Sequence, residues 1–465
     1  MKKAFVFCIG GTGIRVMKSI VMLMAGGMST KGYTIVPVVL DPHLDLKEKK
    51  DLGKLLEAYA ALHDSITDDA DGRITLDDGF FNAELRGLAE ICQQATGRDQ
   101  AVGSNEKFRS YINLSQLATD DINNYLVQTI FSTKNLDNPL SVGFKGNPNV
   151  GTVVLGDMID NASWYHDFLG HCEKDDRVFI IGSIFGGTGA SGYPLLENKI
   201  RHAESYPMVK NVVMGAVTVL PYYALSDSEE TGSDIDSHNF YTKTKAALAY
   251  YDGHVKSDFL YYIGEKSLRA TYDNNEAVQN DRANFIELVA ASALFDFLDR
   301  ERPERTQYLC RAIDEDVESL ELRSMGRGYG DMVKNVADFM LLSELCDVLP
   351  QEKQFPLKRN CGFNEAFYAD TEFGALKDFA AIYAQWYEEI SHNSRAFAPL
   401  SRTSRSDMAG WVKGMTLAAK DDSHYLLEMI KAANASTQRQ GTNQLRDFLT
   451  FAYKAVNRFT SKITE

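Results

Sequence analysis

The chain has 465 residues, which predicts two or three domains, and 44% of its residues are hydrophobic, enough for sizeable cores. Its net charge of −15 and its isoelectric point of about 5.2 argue against a nucleic-acid partner and against an anionic membrane surface, because both bind clustered lysine and arginine. A nucleotide ligand is compatible with this charge, since backbone amides hold phosphates without net positive charge.

The cysteine and hydropathy patterns predict a cytoplasmic protein without a membrane partner. The six cysteines lie far apart and form no C-x-x-C pair, which is typical of a reducing compartment. The apolar run before Gly10 is shorter than a usual signal-peptide core, and the apolar stretch 20–28 is too short to span a bilayer. The spacing of His166, His171 and Cys172 lacks a further acid, so we predict no metal site there.

In chain order, the first predicted elements form a strand–loop–helix–strand unit. Residues 4–9 predict a buried strand, GGTG follows at 10–13, and the apolar positions of IRVMKSIVMLMAG recur at helical spacing. A second predicted strand at 34–40 ends at Asp41, and the mostly polar stretch 42–140 predicts helices joined by loops. The unit therefore carries a glycine loop at its first strand–helix turn.

A second glycine loop follows another predicted strand. The strand at 177–182 comes after a helical stretch at 163–173 and runs into SIFGGTGASGYP (183–194). Four glycines in seven residues exceed the one or two that a turn needs, which indicates a backbone that approaches something closely. The elements predicted after this loop are helices at 195–204, about 240–252 and 281–299, strands at 211–219 and 258–263, and a polar acidic loop at 224–238.

This alternation of strands and helices predicts an α/β fold with a doubly wound, mostly parallel sheet. After about residue 300 only 317–325 predicts a further strand, and the predicted helices there are 330–348, 371–391, 420–434 and 441–462. We therefore predict an α/β domain over residues 1–280, a long central helix over 281–300 and a mainly helical C-terminal domain over 301–465. The aromatic helices of this last domain are a candidate surface for a protein partner.

Both glycine loops lie where a strand passes into a helix, and such a junction offers free N–H groups and the positive end of a helix dipole to an anion. The Walker pattern is absent, because no lysine follows either loop. The dinucleotide fingerprint G-x-G-x-x-G would start at Gly11, but its last position is Val16. Asp41 would suit a ribose contact in that fold, so an NAD(P)-binding oxidoreductase stays open as an alternative.

The second loop and its surroundings resemble the tubulin/FtsZ superfamily. SIFGGTGASGYPLLENKIRHAE is similar to the signature of that family, whose core is GGGTGSG, with Phe185 in place of the first glycine and Ser191 at the seventh position. AFVFCIGGTGIRVMKSI resembles the first strand and first phosphate loop of the family, and GNPNVG (146–151) resembles the NPEVG loop of FtsZ. VVMGAVTVLPYY and DSHNFYTKTKAAL resemble the segments that follow the signature, so the resemblance covers roughly residues 1–300.

The resemblance implies a protein that binds GTP or GDP with Mg²⁺ and self-assembles into filaments. It implies that one part of the phosphate chain is held by Gly10, Gly11, Thr12 and Gly13, and the rest by Phe185, Gly186, Gly187, Thr188, Gly189, Ala190 and Ser191. Gly146 and Asn147 would approach the terminal phosphate, Asp236 is the candidate ribose acid, and Asn239 and Asn284 are candidate base contacts. Magnesium would bind mostly through phosphates and water.

Two departures from the family pattern leave the reaction open. The N-x-D-x-x-D loop that positions water for hydrolysis in FtsZ is absent from LDRERPERTQYLCRAIDED. The acidic residues available in this segment are Glu304, Asp314, Glu315 and Asp316. Gly264 stands where the family reads the base with an asparagine, so guanine and adenine both stay open. The chain is thus expected to be a filament-forming GTPase or, alternatively, a non-hydrolysing nucleotide-bound scaffold or effector in a bacterial multi-protein system such as defence.

Overall fold

A six-stranded sheet with all strands parallel lies at the centre of the fold. The computed structural model describes residues 2–43, 47–69, 72–73, 76, 78–92, 106–144, 146–225, 239–265, 270–272, 282–313, 327–351, 363–393, 397 and 443–460. The strands in chain order are β1 (Lys2–Ile9), β2 (Tyr33–Leu40), β3 (Asp68–Asp69), β4 (Gly72–Arg73), β5 (Arg177–Ser183), β6 (Val213–Val219), β7 (Tyr223–Leu225), β8 (Phe259–Glu265), β9 (Ala270–Tyr272) and β10 (Gln307–Ile313). The order across the large sheet is β2-β1-β5-β6-β8-β10, while β3 pairs with β4 and β7 with β9.

Helices connect these strands and continue beyond them. In chain order they are α1 (Gly10–Ala25), α2 (Lys47–Thr67), α3 (Leu88–Cys92), α4 (Phe108–Tyr111), α5 (Ile122–Ile130), α6 (Thr133–Leu136), α7 (Pro148–Asn161), α8 (Ser163–His171), α9 (Gly187–Arg201), α10 (Pro207–Lys210), α11 (Phe240–His254), α12 (Phe285–Asp299), α13 (Arg327–Val348), α14 (Glu365–Tyr368), α15 (Thr371–Ser391) and α16 (Gln444–Thr460). Short 3₁₀ turns lie at Leu114–Gln116 and Leu140–Val142. None of the helices in the described ranges is long and apolar enough to cross a membrane.

The sheet is buried on both faces. On β1, Val6 and Cys8 belong to the core on one face, whereas Phe5 and Phe7 belong to the core on the other, as the alternation of side chains along a strand requires. The first core includes α1, α2, α12 and the C-terminal helices, and the second includes α3, α8, α9, Ile159 of α7 and Tyr251 of α11. Helices therefore cover both sides of a parallel sheet, which confirms the predicted α/β class.

The direction of winding reverses between β1 and β5. From β1 the chain proceeds to β2 on one side, whereas from β5 it proceeds through β6 and β8 to β10 on the other side. The helices that follow these two central strands, α1 and α9, lie on opposite faces of the sheet and begin at the same edge. In open α/β sheets this switch point, at the carboxyl ends of the strands, is where ligands bind.

The sheet continues past residue 300. The chain returns after α12 so that β10 pairs in parallel with β8, and the hydroxyl of Thr306 donates to the carbonyl of Ser257 at 2.9 Å. The predicted domain change near residue 300 therefore does not coincide with the end of the sheet, and α13, α15 and α16 share one core with α1 and α12. The predicted strand at 317–325 and the predicted helix at 420–434 lie outside the described residues.

The two glycine-rich stretches are the first turns of helices rather than loops before them. α1 starts at Gly10, directly after β1, and α9 starts at Gly187. Pro194 lies inside α9, although the sequence had predicted a helix only from residue 195. The difference matters because a proline at this position leaves the carbonyl of Ala190, four residues earlier, without its helical donor.

Candidate functional site

The first turns of α1 and α9 are in contact at the switch point. Gly10 has a φ of +72°, a left-handed conformation that glycine adopts without strain. A Cβ atom on Gly10 would lie 3.3 Å from the Cβ of Thr188 and 3.7 Å from the amide nitrogen of Gly189. The absence of a side chain at residue 10 therefore lets the two helix N-termini approach each other closely.

A third helix N-terminus adjoins the second. A Cβ atom on Gly187 would lie 3.0 Å from the Cβ of Phe144 and 3.1 Å from the amide nitrogens of both Gly146 and Asn147. Asn147 is the N-cap residue of α7, and Gly146 has a φ of +71°. The structure thus brings together the two glycine stretches and the 146–147 turn, three sets of predicted site residues from distant parts of the chain.

None of these three helices neutralises its own N-terminus. The N-cap residues of α1, α7 and α9 make no side-chain cap hydrogen bond, and none of the three helices has an acidic residue in its first turn. Several other helices have side-chain caps, made by Asp121, Ser132, Asn284, Asn364 and Asp370. Amide donors and the positive ends of three dipoles therefore meet at one place, an arrangement that suits an anion.

Two of the glycines serve packing rather than ligand approach. A Cβ atom on Gly13 would lie 2.7 Å from the carbonyl carbon of Cys8, and one on Gly189 would lie 2.5 Å from the carbonyl oxygen of Ser183. Both glycines therefore allow their helix to lie tightly against the strand that precedes it. The half-buried residues, at which a ligand can approach, are Gly11, Gly186, Thr188, Gly146 and Asn147.

The side chains of the predicted phosphate loops have partners within the protein. The hydroxyl of Ser191 is buried and donates to the carbonyl of Gly187 at 2.7 Å, so it stabilises the first turn of α9. Thr12 is also buried, and its hydroxyl accepts a long hydrogen bond of 3.4 Å from the Nη2 of Arg15. Phe185 is buried, with ring contacts to Tyr222, Tyr223 and Phe240. These contacts give all three side chains structural roles, and the groups near them that a ligand can approach are backbone amides and the half-buried Thr188.

The carbonyl of Ala190, which cannot accept a helical hydrogen bond from Pro194, accepts one from another helix. Tyr251, on α11, donates its hydroxyl to the carbonyl of Ala190 at 3.2 Å. The ring of Tyr251 also packs edge-on against Tyr193, with centroids 5.3 Å apart. Burial raises the pKa of Tyr251, which keeps the hydroxyl protonated as the donor. The glycine-rich helix is therefore tied to α11.

A lysine that the sequence analysis did not single out reaches the same place. Lys243, in the first turn of α11, donates from its Nζ to the carbonyl of Gly146 at 2.8 Å. Its Nζ would lie 3.0 Å from a Cβ on Gly146. A cation in the first turn of a helix opposes the helix dipole, and this conflict is the sequence signal that could have drawn attention to it.

The predicted ribose and base contacts that the structure describes lie on other elements than the glycine stretches. Asn284 is buried as the N-cap of α12, where its side chain accepts from the amide of Ile286 in a capping box. Asn239 is the exposed N-cap of α11, and Asp236 lies outside the described residues. The carboxylate of Asp41 accepts from the amide of His43 at 2.8 Å, and burial raises the pKa of this carboxyl above its ordinary value.

A cleft of about 500 Å³ lies beside α1, between α2, α12 and α15. Its floor includes Arg15, whose Nε is 2.7 Å from the Oε1 of Glu287, and its rim includes Lys18, Glu48 and Glu389. Asn284 is not among the lining residues of the cleft, although its neighbours Ala283 and Glu287 are. The lining of the cleft starts one turn along the same helix whose first turn meets α9, and it includes no residue of the glycine stretches.

Comparison with known proteins gives no family assignment, because a scan against protein-family models and a search of curated proteins both found no match for this chain.

Proposed function

We propose that this protein binds a nucleoside triphosphate, GTP, with the phosphates at the first turns of α1 and α9 and at the Gly146–Asn147 turn. The observation that carries the proposal is the meeting of three helix N-termini, without side-chain caps or first-turn acids, at the switch point of the sheet. A chain of phosphates has oxygen acceptors along its whole length, and so it matches several adjacent sets of amide donors better than a single small anion does.

The residues at this place fit a polyphosphate. Gly10 and Gly187 allow the three helix N-termini to pack closely together, and the half-buried residues around them are accessible from outside. The cleft that starts at Arg15 has the volume for the sugar and base of the same ligand. Magnesium would accompany the phosphates, held mostly by phosphate oxygens and water, and would supply neutralisation of phosphate charge.

We further propose that the chain is a divergent relative of the tubulin/FtsZ superfamily that assembles head to tail. Support comes from the order of elements, since the GGTG stretches begin α1 and α9, and from α12, which leads from the site edge of the sheet to the opposite edge. The turn 300–306 therefore lies away from the phosphates of its own chain. In a head-to-tail filament the exposed Glu304 of one copy would come close to the nucleotide of the next.

A second candidate function is a nucleotide-bound scaffold that does not hydrolyse its ligand. It is favoured by the sequence RERPERT at 300–306, which lacks the N-x-D pattern of the hydrolytic loop in FtsZ. An NAD(P)-binding oxidoreductase is the third possibility, and it shares the switch-point location but requires a dinucleotide ligand.

One series of measurements separates the three functions. The nucleotide that copurifies with the protein is identified by chromatography, and light scattering and phosphate release are then followed on addition of GTP and Mg²⁺. Bound guanine nucleotide with rising scattering and with phosphate release that steepens with protein concentration supports the filament-forming GTPase. Bound guanine nucleotide without either signal supports the scaffold. Copurified NAD(P), or no binding of any nucleotide, overturns the proposal.

A further inference from the structure

The two edges of the six-stranded sheet differ in how their backbone groups are covered. At the outer edge of β2, the amide of Ile35 donates to the carbonyl of Glu84 at 2.9 Å, and the carbonyl of Ile35 accepts from the amide of Arg86 at 3.0 Å. Pro37, two positions along the same edge, has no amide hydrogen to donate. Proline and a covering segment both prevent an edge strand from pairing with another chain, so the β2 edge is closed.

β10, at the opposite edge, has neither protection along its length. Its residues pair with β8 from Gln307 to Ile313 without a bulge, and no proline or lysine occurs among them. The amide of Gln307 donates to the carbonyl of Asp258 at 2.9 Å, so the backbone groups of Gln307 and of every second residue after it face β8. The residues whose backbone groups face the open edge are therefore Tyr308, Cys310 and Ala312.

The open edge of β10 is accessible to another strand. In the part of the chain that the structure describes, the outward backbone groups of Tyr308 and Ala312 have no hydrogen-bond partner. Tyr308 is 54% exposed, and Cys310 is exposed as well. Parallel strands are normally covered on both faces, so an exposed parallel strand at an open edge indicates a surface that another chain covers.

A second copy of this chain fits the open edge. About a twofold axis two β10 strands run antiparallel, so that outward amides of each copy face outward carbonyls of the other. The two strands overlap over their full length when the axis passes at Cys310. In that register Gln307 lies opposite Ile313, and Leu309 lies opposite Arg311, so no charged residue of the strand meets a like charge.

We propose that β10 pairs with β10 of a second copy and joins the two six-stranded sheets into one continuous sheet. A twofold axis uses the same patch on both copies, so this contact is closed: it joins two molecules and does not extend into a filament. The contact needs no nucleotide. It is therefore independent of the ligand proposed above and goes beyond the head-to-tail assembly.

The first experiment compares Tyr308→Pro with Tyr308→Val. Both variants lack the ring, but only the proline variant lacks the amide that faces the open edge, and the hydrogen bonds between β10 and β8 are kept in both. Sedimentation of the full-length proteins without nucleotide measures the dissociation constant of the dimer, and circular dichroism checks folding. We expect the unsubstituted protein to dimerise and Tyr308→Pro to dissociate about 10-fold more readily than Tyr308→Val, since each dimer loses two hydrogen bonds.

Cross-linking tests the register. The Cys310 residues of the two copies would form a hydrogen-bonded pair with Cα atoms about 5.5 Å apart, a separation that a disulfide spans. Oxidised glutathione should therefore produce a disulfide-linked dimer of the unsubstituted protein, and Cys310→Ser should abolish it. In the double variant Tyr308→Cys, Cys310→Ser the two introduced thiols are offset by four residues, about 13 Å, so no such dimer should form.

Three results would overturn this pairing. A protein that stays monomeric at every concentration shows that copies do not pair and leaves the edge of β10 to a strand of another protein. A dimer for which Tyr308→Pro and Tyr308→Val dissociate equally does not use the backbone of β10. If Tyr308→Pro fails to fold, the cross-link decides, and a dimer of the unsubstituted protein that forms no disulfide at Cys310 overturns the proposal.

Discussion

The Nε of Arg15 lies 2.7 Å from the Oε1 of Glu287, a contact that joins the first helix of the chain to α12 across 272 positions of sequence. Both side chains are buried, with 7% and 1% of their surface exposed. The hydroxyl of Tyr222 donates to the same carboxylate oxygen at 2.6 Å. The helix that begins with the first glycine stretch is therefore fixed by an ion pair that water does not screen.

Removal of the Glu287 carboxylate is expected to destabilise the fold. Glu287→Gln should lower the free energy of unfolding by about 3 kcal/mol, because it leaves the buried Arg15 without its closest counter-charge. The control is Asp299→Asn, which removes an exposed pair with Lys31 and should change stability by less than about 1 kcal/mol. Urea unfolding followed by circular dichroism measures both. Equal effects of the two substitutions would contradict the importance of the buried pair.

Loss of the Tyr251 hydroxyl is expected to lower the free energy of unfolding. Tyr251→Phe removes the donor to the carbonyl of Ala190 and should destabilise the protein by about 1–3 kcal/mol, the cost of one buried unsatisfied carbonyl. Tyr250→Phe is the matched control, since the neighbouring tyrosine is 50% exposed. The comparison uses thermal unfolding in the same buffer. A Tyr251→Phe variant as stable as the control would show that Ala190 finds another donor.

Nucleotide binding is expected to depend on the close packing of Gly187 against the 146–147 turn. Gly187→Val places methyl groups against Phe144 and the amides of the 146–147 turn, so we expect no detectable nucleotide binding. Gly170→Val, at an exposed helical position where a Cβ meets nothing within 4 Å, should keep the affinity within about twofold. Calorimetry with a GTP analogue and circular dichroism, as a check on folding, measure the two outcomes. Binding by Gly187→Val at the unsubstituted affinity would refute the site.

The free energy of unfolding is expected to depend on pH through the buried carboxyl of Asp338. Burial raises the pKa of this carboxyl in the folded protein, although Lys334 lies within 2.5 Å and lowers it in part. A raised folded pKa means that the native state takes up the proton first, so this group adds stability as the pH falls from neutral towards about 4. The free energy of unfolding of the native sequence, minus that of Asp338→Asn, should therefore increase over this range. A difference that falls or stays constant in urea titrations would contradict the raised pKa.

An apolar face on α5 is a candidate contact between copies in the proposed filament. Ile122, Tyr125, Leu126 and Ile130 follow helical spacing and are 50–79% exposed. We expect the double variant Ile122→Ser, Leu126→Ser to reduce GTP-dependent light scattering without a loss of nucleotide affinity. Met208→Ser serves as control, because this methionine is apolar, 51% exposed and on another helix. Scattering equal to that of the control would exclude this face from assembly.

The buried centre of the fold could be predicted because its sequence signal is strong. AFVFCI and RVFIIG are apolar runs that read as strands, since a parallel strand with helices on both faces buries all its side chains. β10 was missed because QYLCRAI mixes polar and apolar residues and Tyr308 is 54% exposed, whereas β2, at the other edge of the sheet, is a mostly buried apolar run and was predicted. The strength of the sequence signal thus follows the burial of each strand.

The candidate site was predictable in its backbone and less so in its side chains. The glycine stretches predicted where helix N-termini meet, because glycine allows the close approach that the structure contains. The structural roles of Ser191 and Asn284 depend on short contacts within their own helices, which the resemblance did not indicate. Lys243 was missed because its contact joins residues 97 positions apart. GTP as the ligand stays a prediction.

The bond between Tyr251 and Ala190 also bears on how the protein is synthesised. Pro194 gives the glycine-rich turn of α9 a carbonyl that the helix itself cannot satisfy, and its partner lies 61 positions further along the chain. A nascent chain that ends before residue 251 therefore exposes that carbonyl to water. The turn on which ligand binding is proposed to depend gains this hydrogen bond only after Tyr251, about midway along the chain, has been synthesised, so a product truncated before it would lack the bond.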